Sequence, residues 1–500
     1  MTFNSVQFLI FLPVVVAVYF LLPHKIRWVW ALAASYYAYM SWNAWLIFPI
    51  LGTTAVSYAA AMLMGRTSSK ARKRVLLVIT LVVCLGTLVF FKYFNFLLSS
   101  VINFLNLFTL DIDSVALDII LPAGISFYTF QTLSYVIDVY RGTIPPERHF
   151  GYYALFVSYF PQLVAGPIER PENLIPQLKE KHSPNSEDLA AGFRMLLVGF
   201  IRKCVIADYL GTFVNSAFSD ISNANSLAII TACALFMLQL YNDFAGYSDI
   251  AVGAARLMGI RLMKNFDKPF SATSMRDFMR RWHISLNTWF RDYLYIPLGG
   301  SRKGKARKIF NIILVYFLCG LWHGANWTFV LWGLYVGLFI ILEDLIRKPY
   351  RAFCSKRGID NGKAWIVLIR RVIVFVAFLP ASLLFRAQTV GEAGDIFLRL
   401  FSDMGFGNAY FEEAMASLSM VDLDLVRIAL CLVSLVMLYR ISDYVPERIS
   451  SPGGLTDISA LRCGYASRVA ACFYGTLAVA LAWIVLVSGN DVSAFVYFQF

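Results

Sequence analysis

The stretch Lys308–Leu342, "KIFNIILVYFLCGLWHGANWTFVLWGLYVGLFIIL", decides the fold class of this chain. From Ile309 to Leu342 there is no Asp, Glu, Lys or Arg. Uncharged apolar runs of this kind are membrane spans, about 20 residues being needed to cross a bilayer. The run divides at Gly324–Ala325 into candidate spans 309–323 and 326–345. His323 and Asn326 are then anomalies, because a polar side chain at membrane depth turns toward a cavity or a partner. Gly320, Gly324 and Ala325 thin the backbone around them, which permits close helix packing or the approach of a ligand.

Composition extends this reading to the whole chain. Of 500 residues, 59% are hydrophobic and 15% charged, with a mean hydropathy of +0.63. Soluble domains run at about 45–50% apolar and about 25% charged. The chain is therefore an all-α polytopic membrane protein, and we treat residues 1–500 as one membrane domain: N-terminal spans 1–117, a core 118–345 and C-terminal spans 346–500. The net charge of +13 is concentrated in short loops at His24–Arg27, Arg66–Arg74, Ser301–Lys308 and Arg347–Lys363. Basic loops between spans mark the cytoplasmic side. With no soluble domain to carry them, they do not indicate nucleic-acid binding. The eight cysteines, at 84, 204, 233, 319, 354, 431, 463 and 472, form no C-x-x-C and read as small buried hydrophobes, with no metal set.

Candidate spans are 6–23, 28–43, 44–65, 75–98, 118–140, 150–166, 189–210, 226–256, 309–323, 326–345, 366–386, 424–440 and 468–488. The first lacks a basic region before it and a cleavage site after it, so it reads as a retained span. The polar loop 99–117 falls outside. Segment 161–188, rich in proline and charge, lies along the interface, and 387–423 reads as an amphipathic external segment. No internal repeat is visible, which argues against the transporters built from inverted repeats.

Five histidines are present, and three of them (His24, His149 and His182) belong to polar surroundings. The other two do not. Ser271–Arg291, "SATSMRDFMRRWHISLNTWFR", reads as one amphipathic helix capped by Ser274. Phe278, Trp282, Leu286 and Trp289 form its apolar face, and Arg276, Arg280, His283, Asn287 and Arg291 its polar stripe. Such a stripe can hold lipid headgroups, or it can face a hydrated cavity and meet an anionic donor. A third polar cluster, Asn242, Asp243, Tyr247, Ser248 and Asp249, interrupts the span 226–256. Its carboxylates need donors, for which Arg280, Arg281 or Arg291 are candidates; a purely structural ion-pair network is the other reading.

No G-x-S-x-G, Walker or H-E-x-x-H pattern occurs. What remains is imidazole, whose reference pKa of ~6.5 suits a general base. A lone base suits acyl transfer, in which it takes a proton from an acceptor hydroxyl that attacks a thioester carbonyl, with nearby cations stabilising the oxyanion.

Taken in order, several stretches resemble the membrane-bound O-acyltransferase (MBOAT) family, and within it the bacterial alginate O-acetylation branch. They are "LPAGISFYTFQTLSYVIDVYRG" (121–142), "FPQLVAGPIERPENLIPQL" (160–178), "LQLYNDFAGYSDIAVG" (238–253), "FMRRWHISLNTWFRDYLYIPLGG" (278–300), "GLWHGANWTFVLWG" (320–333) and "FVYFQF" (495–500). Asn242 and Ala245 depart from the usual pattern beside Asp243. The resemblance implies a ring of tilted helices around a thin core with a tunnel or funnel. His323 takes the place of the family's catalytic histidine and His283 that of its second polar position. Gly320, Gly324 and Ala325 then read as clearance for a reacting ester. Around the two histidines, Arg280, Arg281, Trp282, Asn287, Arg291, Asp243, Tyr247, Asp249, Trp322 and Asn326 are the candidate substrate-binding residues.

The implied activity is O-acyl transfer, acetyl above all, toward an exported polysaccharide. The donor is a cytoplasmic thioester, acetyl-CoA or an acyl carrier protein, and no bound cofactor is implied. The implied setting is the cell (inner, cytoplasmic) membrane among its lipids, with an extracytoplasmic acyltransferase or polysaccharide-modifying protein as partner. D-alanyl transfer to teichoic acid from a carrier protein is the alternative within the family. A transporter or flippase of a glycan or acyl intermediate, and an inert export scaffold, are alternatives of other classes.

Overall fold

The computed structural model describes residues 1–434 except 109–111, 114–115, 222 and 422–423. The candidate span 468–488, the motif 495–500 and part of the span 424–440 lie outside these residues. Every regular element among the described residues is helical: α1 (Val6–Leu21), α2 (His24–Met40), α3 (Ile47–Arg66), α4 (Lys70–Leu88), α5 (Phe94–Asn106), α6 (Ile125–Arg141), α7 (Phe150–Ser158), α8 (Phe160–Leu163), α9 (Pro171–Lys179) and α10 (Ser186–Phe200) come first. Then follow α11 (Asp208–Ser219), α12 (Ser226–Leu257), α13 (Met275–Arg281), α14 (Ile284–Phe290), α15 (Lys305–His323), α16 (Trp327–Lys356), α17 (Ala364–Arg386), α18 (Val390–Ser402) and α19 (Asn408–Ser417).

Among the described residues, five helical stretches are long and apolar enough to cross a membrane: 44–66, 70–106, 226–257, 327–356 and 364–386. Their exposed faces are apolar, the reverse of a soluble protein. On α4, Val75, Val78, Ile79 and Val82 are exposed at helical spacing, and on α17 Leu368, Ile369, Val372, Ile373 and Val376 are. Side chains on such stripes face lipid. The protein is a multi-pass helical membrane protein.

Two compact units divide the described chain. The first comprises Met1–Leu196 and Tyr247–Ala393 and carries the site described below. The second comprises Leu197–Gly246 and, among the described residues, the chain from Gly394 to 434. Within the second, a wide π-helical turn at Ile201–Ala207 carries Lys203, fully buried, whose ammonium is 2.7 Å from both Asp243 and Asp208. A buried charge needs such partners, since removing one leaves the other uncompensated.

Several expected boundaries are corrected. The span expected at 118–140 begins at Ile125, because Pro122 keeps the preceding residue extended and Gly124 turns the chain in a left-handed conformation (φ 70°). A side chain at Gly124 would also strike the Leu163 carbonyl, so no other residue fits this turn. The segment 150–166 does not cross as one helix: α7 stops at Ser158, and its nine residues rise only about 14 Å. Segment 99–117 is helical as far as Asn106. Within segment 161–188, Glu169, Pro171 and Leu174 are buried in the protein, and Pro171–Lys179 is helical.

The amphipathic helix expected over 274–291 is two helices. Ser274 does cap α13, accepting from the Asp277 N–H at 3.1 Å. The helix then breaks at Trp282, and His283 adopts a left-handed conformation (φ 43°, ψ 58°) before α14 begins. Its polar stripe is thereby dismantled: Arg280 and Arg291 are exposed, whereas His283 is 1% exposed.

Candidate active site

His323 is the last residue of α15, after which Gly324 leaves the helix in an extended conformation. Helix ends leave carbonyls without intrahelical partners, and here α4 and α5 supply the donors. Between them a π-helical turn, Val89–Tyr93, widens the backbone where two polar side chains emerge. The Tyr93 hydroxyl donates to the Leu321 carbonyl at 2.7 Å, and the Lys92 ammonium to those of Trp322 (2.7 Å) and His323 (3.2 Å). A lysine at this pole of a helix is electrostatically favourable as well.

The His323 ring is 6% exposed and enclosed by aromatic neighbours. The rings of Trp322, Trp332 and Phe385 approach it at 5.2, 4.9 and 5.3 Å between centroids, all nearly edge-on. Such T-shaped contacts restrict the plane of the imidazole.

A cavity of about 170 Å³ opens beside it, lined by Trp42, Lys92, the turn Leu121–Gly124, Val164, Trp322 and His323. An engineered cavity of about 150 Å³ holds benzene, so this space has room for a small group beside the imidazole.

His283 lies across Trp322 from His323, its ring 5.5 Å from the indole that is 5.2 Å from His323. Phe127 stacks on the His283 ring at 6.3 Å and lies 5.1 Å from the same indole. The chain break that places His283 is held from two directions. Asn287 donates to the carbonyls of Trp282 (2.7 Å) and His283 (3.2 Å), and the Asn265 side chain contacts the ring nitrogen Nδ1 at 3.0 Å.

The other expected residues separate into distinct places. Trp282 is buried and stacks with Phe278 at 5.5 Å. Asn326 is taken up by the turn: its oxygen caps α16 at the Thr328 N–H (3.1 Å), and its amide donates to the Gln388 carbonyl (2.7 Å). Tyr247 stacks on Phe3 at 4.4 Å, and Asp249 is half-buried on α12. Asp243 takes Lys203, of its own unit, as a cation, and two of the arginines expected to serve it have acidic partners in theirs. Arg281 pairs with Asp277 (3.0 Å) and Asp267 (3.9 Å), and Arg291 with Asp292 (2.7 Å).

The glycines of the quoted stretch are also reassigned. A Cβ on Gly320 would overlap the Phe329 carbonyl, one on Gly324 the Phe329 ring, and one on Gly333 the Tyr316 carbonyl. Gly320 and Gly333 serve backbone-to-backbone packing of α15 on α16, as small residues do between membrane helices, and Gly324 makes room for the Phe329 ring, not for an ester.

Lys92, Tyr93, Asn265, Trp332, Phe385 and the cavity turn were missed as site residues in the sequence. Lys92 carried a signal, being the sole charged residue in the apolar run 75–98. Outside the spans, burial pushes the Glu169 carboxyl above its usual range, against hydrogen bonds from Asn173 and from the Met263 and Arg170 N–H groups. Among the described residues no group of three His, Cys, Asp or Glu side chains is placed to hold a metal ion.

A model of the membrane-bound O-acyltransferase family matches residues 147–383. The chain is 34% identical over 523 residues to the probable alginate O-acetylase AlgI of Azotobacter vinelandii, covering all of both chains. The chain belongs to the membrane-bound O-acyltransferase family and is an acyltransferase. It is also 35% identical over 383 residues to the peptidoglycan O-acetyltransferase of Helicobacter pylori, covering 70% of this chain and 72% of that one. The teichoic acid D-alanyltransferase of Bacillus subtilis is 28% identical over 266 residues, covering 50% and 65%.

Proposed function

We propose that this protein moves a short acyl group, acetyl, from a cytoplasmic thioester toward a hydroxyl of an exported polysaccharide, with His323 as the general base. In this reading the imidazole removes the proton of the acceptor hydroxyl and the alkoxide oxygen attacks the thioester carbonyl. The C–S bond then breaks, and the thiolate leaves with the proton returned from the imidazolium. The donor, acetyl-CoA or an acyl carrier protein, approaches from the side of the basic 271–308 region, and the acceptor from the opposite face through a tunnel or funnel. The acceptor hydroxyl belongs to the glycan itself or to an extracytoplasmic partner protein that completes the transfer. His283, across Trp322, binds or orients the reacting groups.

One observation carries this reading: a buried histidine ends α15 at the wall of a 170 Å³ cavity that suits a two-carbon acyl group. The end-to-end likeness to an alginate O-acetylase supports the glycan acceptor, whereas the D-alanyltransferase likeness covers half of this chain. The test is ester analysis of the exported glycan by mass spectrometry in cells carrying His323→Ala. Loss of ester while the protein still accumulates in the membrane is expected. Normal acylation would remove His323 from the mechanism.

A further inference from the structure

Asn265 lies in the loop after α12, in "KNFDKPF", and belongs to none of the elements that carry the histidines. Its side-chain oxygen nevertheless gathers three groups from the break before α14. It lies 3.0 Å from His283 Nδ1, 2.9 Å from the Ser285 hydroxyl and 3.3 Å from the Ser285 N–H. Its own carbonyl accepts from the Ile284 N–H at 2.8 Å, and its amide nitrogen donates to the Ser248 hydroxyl at 3.2 Å. The orientation of a carboxamide follows from such a network. A backbone N–H only donates, so the atom facing the Ser285 N–H is the oxygen. That same oxygen faces Nδ1. An oxygen without a proton cannot donate, so Nδ1 must carry the hydrogen, and the lone pair of the neutral ring belongs to Nε2.

We propose that Asn265 is a positioning residue that holds His283 as the Nδ1–H tautomer, with Nε2 as its basic nitrogen. The inference rests, for its catalytic consequence, on the reading that His283 takes part in acyl transfer. Its structural part stands without it. With His283 in a left-handed conformation, the Asn265 side chain meets both the ring and the Ser285 N–H of α14, while its main-chain carbonyl takes the Ile284 N–H. Asn265 thus ties the conformation of the break to the chemistry of the ring. Among the described residues, His323 is a titratable group close enough to act on His283, both rings packing against Trp322.

The experiment is solid-state ¹⁵N spectroscopy of the full chain in lipid bilayers with ¹⁵N-labelled histidine. Subtracting the spectrum of His283→Gln isolates one ring among the five histidines. The native protein is expected to show hydrogen on Nδ1 and a bare Nε2; hydrogen on Nε2 would overturn the proposal. Asn265→Leu, which removes the acceptor, is expected to give a mixture of tautomers. It should lower kcat about tenfold or more, the scale on which partners of functional imidazoles act, with little change in KM. An unchanged tautomer in Asn265→Leu would equally overturn it.

Asn265→Asp keeps the acceptor and adds a charge. It should restore the Nδ1–H form and shift the acidic limb of the pH–rate profile to higher pH, as a carboxylate favours imidazolium. A merely structural asparagine would give no such shift, and its absence counts against the proposal. If Asn265→Leu does not accumulate, the native and Asn265→Asp spectra still decide. Full transfer by His283→Gln would defeat the role of His283 in the reaction while leaving the tautomer measurement to judge Asn265.

Discussion

The two buried imidazoles of this protein are held in opposite ways. His323 closes a helix and is fixed by packing: aromatic rings on three sides, backbone-to-backbone contact behind it and borrowed donors on its terminal carbonyls. His283 opens a helix and is fixed by hydrogen bonds, its ring Nδ1 against the Asn265 oxygen and its backbone carbonyl accepting from Asn287. A packed ring tolerates changes in polarity around it better than changes in volume. A hydrogen-bonded ring behaves in the reverse manner. The two sites are therefore expected to fail under different substitutions.

The largest expected effect is on chemistry. His323→Ala should reduce acyl transfer by the ~10²–10⁴-fold that a positioned base supplies, measured as product ester per unit of membrane protein. His283→Gln should fall well short of that loss. Equal losses would break the distinction between a reacting and an orienting imidazole.

Lys92→Met comes next. It removes the donor to two carbonyls at the end of α15, and unmet buried acceptors cost about 1–3 kcal/mol. Transfer should fall about tenfold with a lower midpoint of thermal unfolding in detergent. Gly320→Ala should lower that midpoint too, since inserting a methyl into a close-packed contact costs about 1–3 kcal/mol. The histidine spectrum of His283 should stay unchanged in both variants. A change there would show that packing and hydrogen bonding are not separable.

Smaller effects belong to the surface. Arg280→Gln with Arg291→Gln should raise KM for the thioester a few-fold, and unchanged donor kinetics would detach these exposed residues from the donor path. The smallest concerns Asp267, beside the His283 loop. Partial burial raises its carboxyl, but Lys264, Arg281 and Lys268 more than offset this and hold it below the usual carboxylate range. A lowered acid stabilises the fold above its unfolded value of ~4 and loses that contribution as pH falls through the folded value. Asp267→Asn should therefore lower stability at pH 7 and become neutral in acid. With the side chain 46% exposed, solvent screening limits the effect to a few tenths of a kcal/mol.

Much of this was legible in the residues. The apolar runs reveal a membrane protein, and the expected spans near 44–65, 226–256, 326–345 and 366–386 each fall within a helix long enough to cross. The break at His283 was not legible. Arg276, Arg280, His283, Asn287 and Arg291 follow a helical period, and nothing in that spacing announces a left-handed residue held from a loop eighteen positions earlier. The glycines around His323 fit close packing or ligand approach equally well in sequence, and only the proximity of Phe329 decides between them. Asn265 lay in a loop without a motif, so its partners could be found only in space.

The packing of α15 on α16 also divides the cavity into a fixed jaw and an adjustable one. Because Gly320 and Gly333 bring main chain against main chain, no side chain at those two contacts can be trimmed or rotated to make room. The other wall carries the replaceable side chains of Trp42, Leu121 and Val164 beside the fixed bend at Gly124. A wider appetite for acyl groups would have to be written on that wall, with the histidine left where it is.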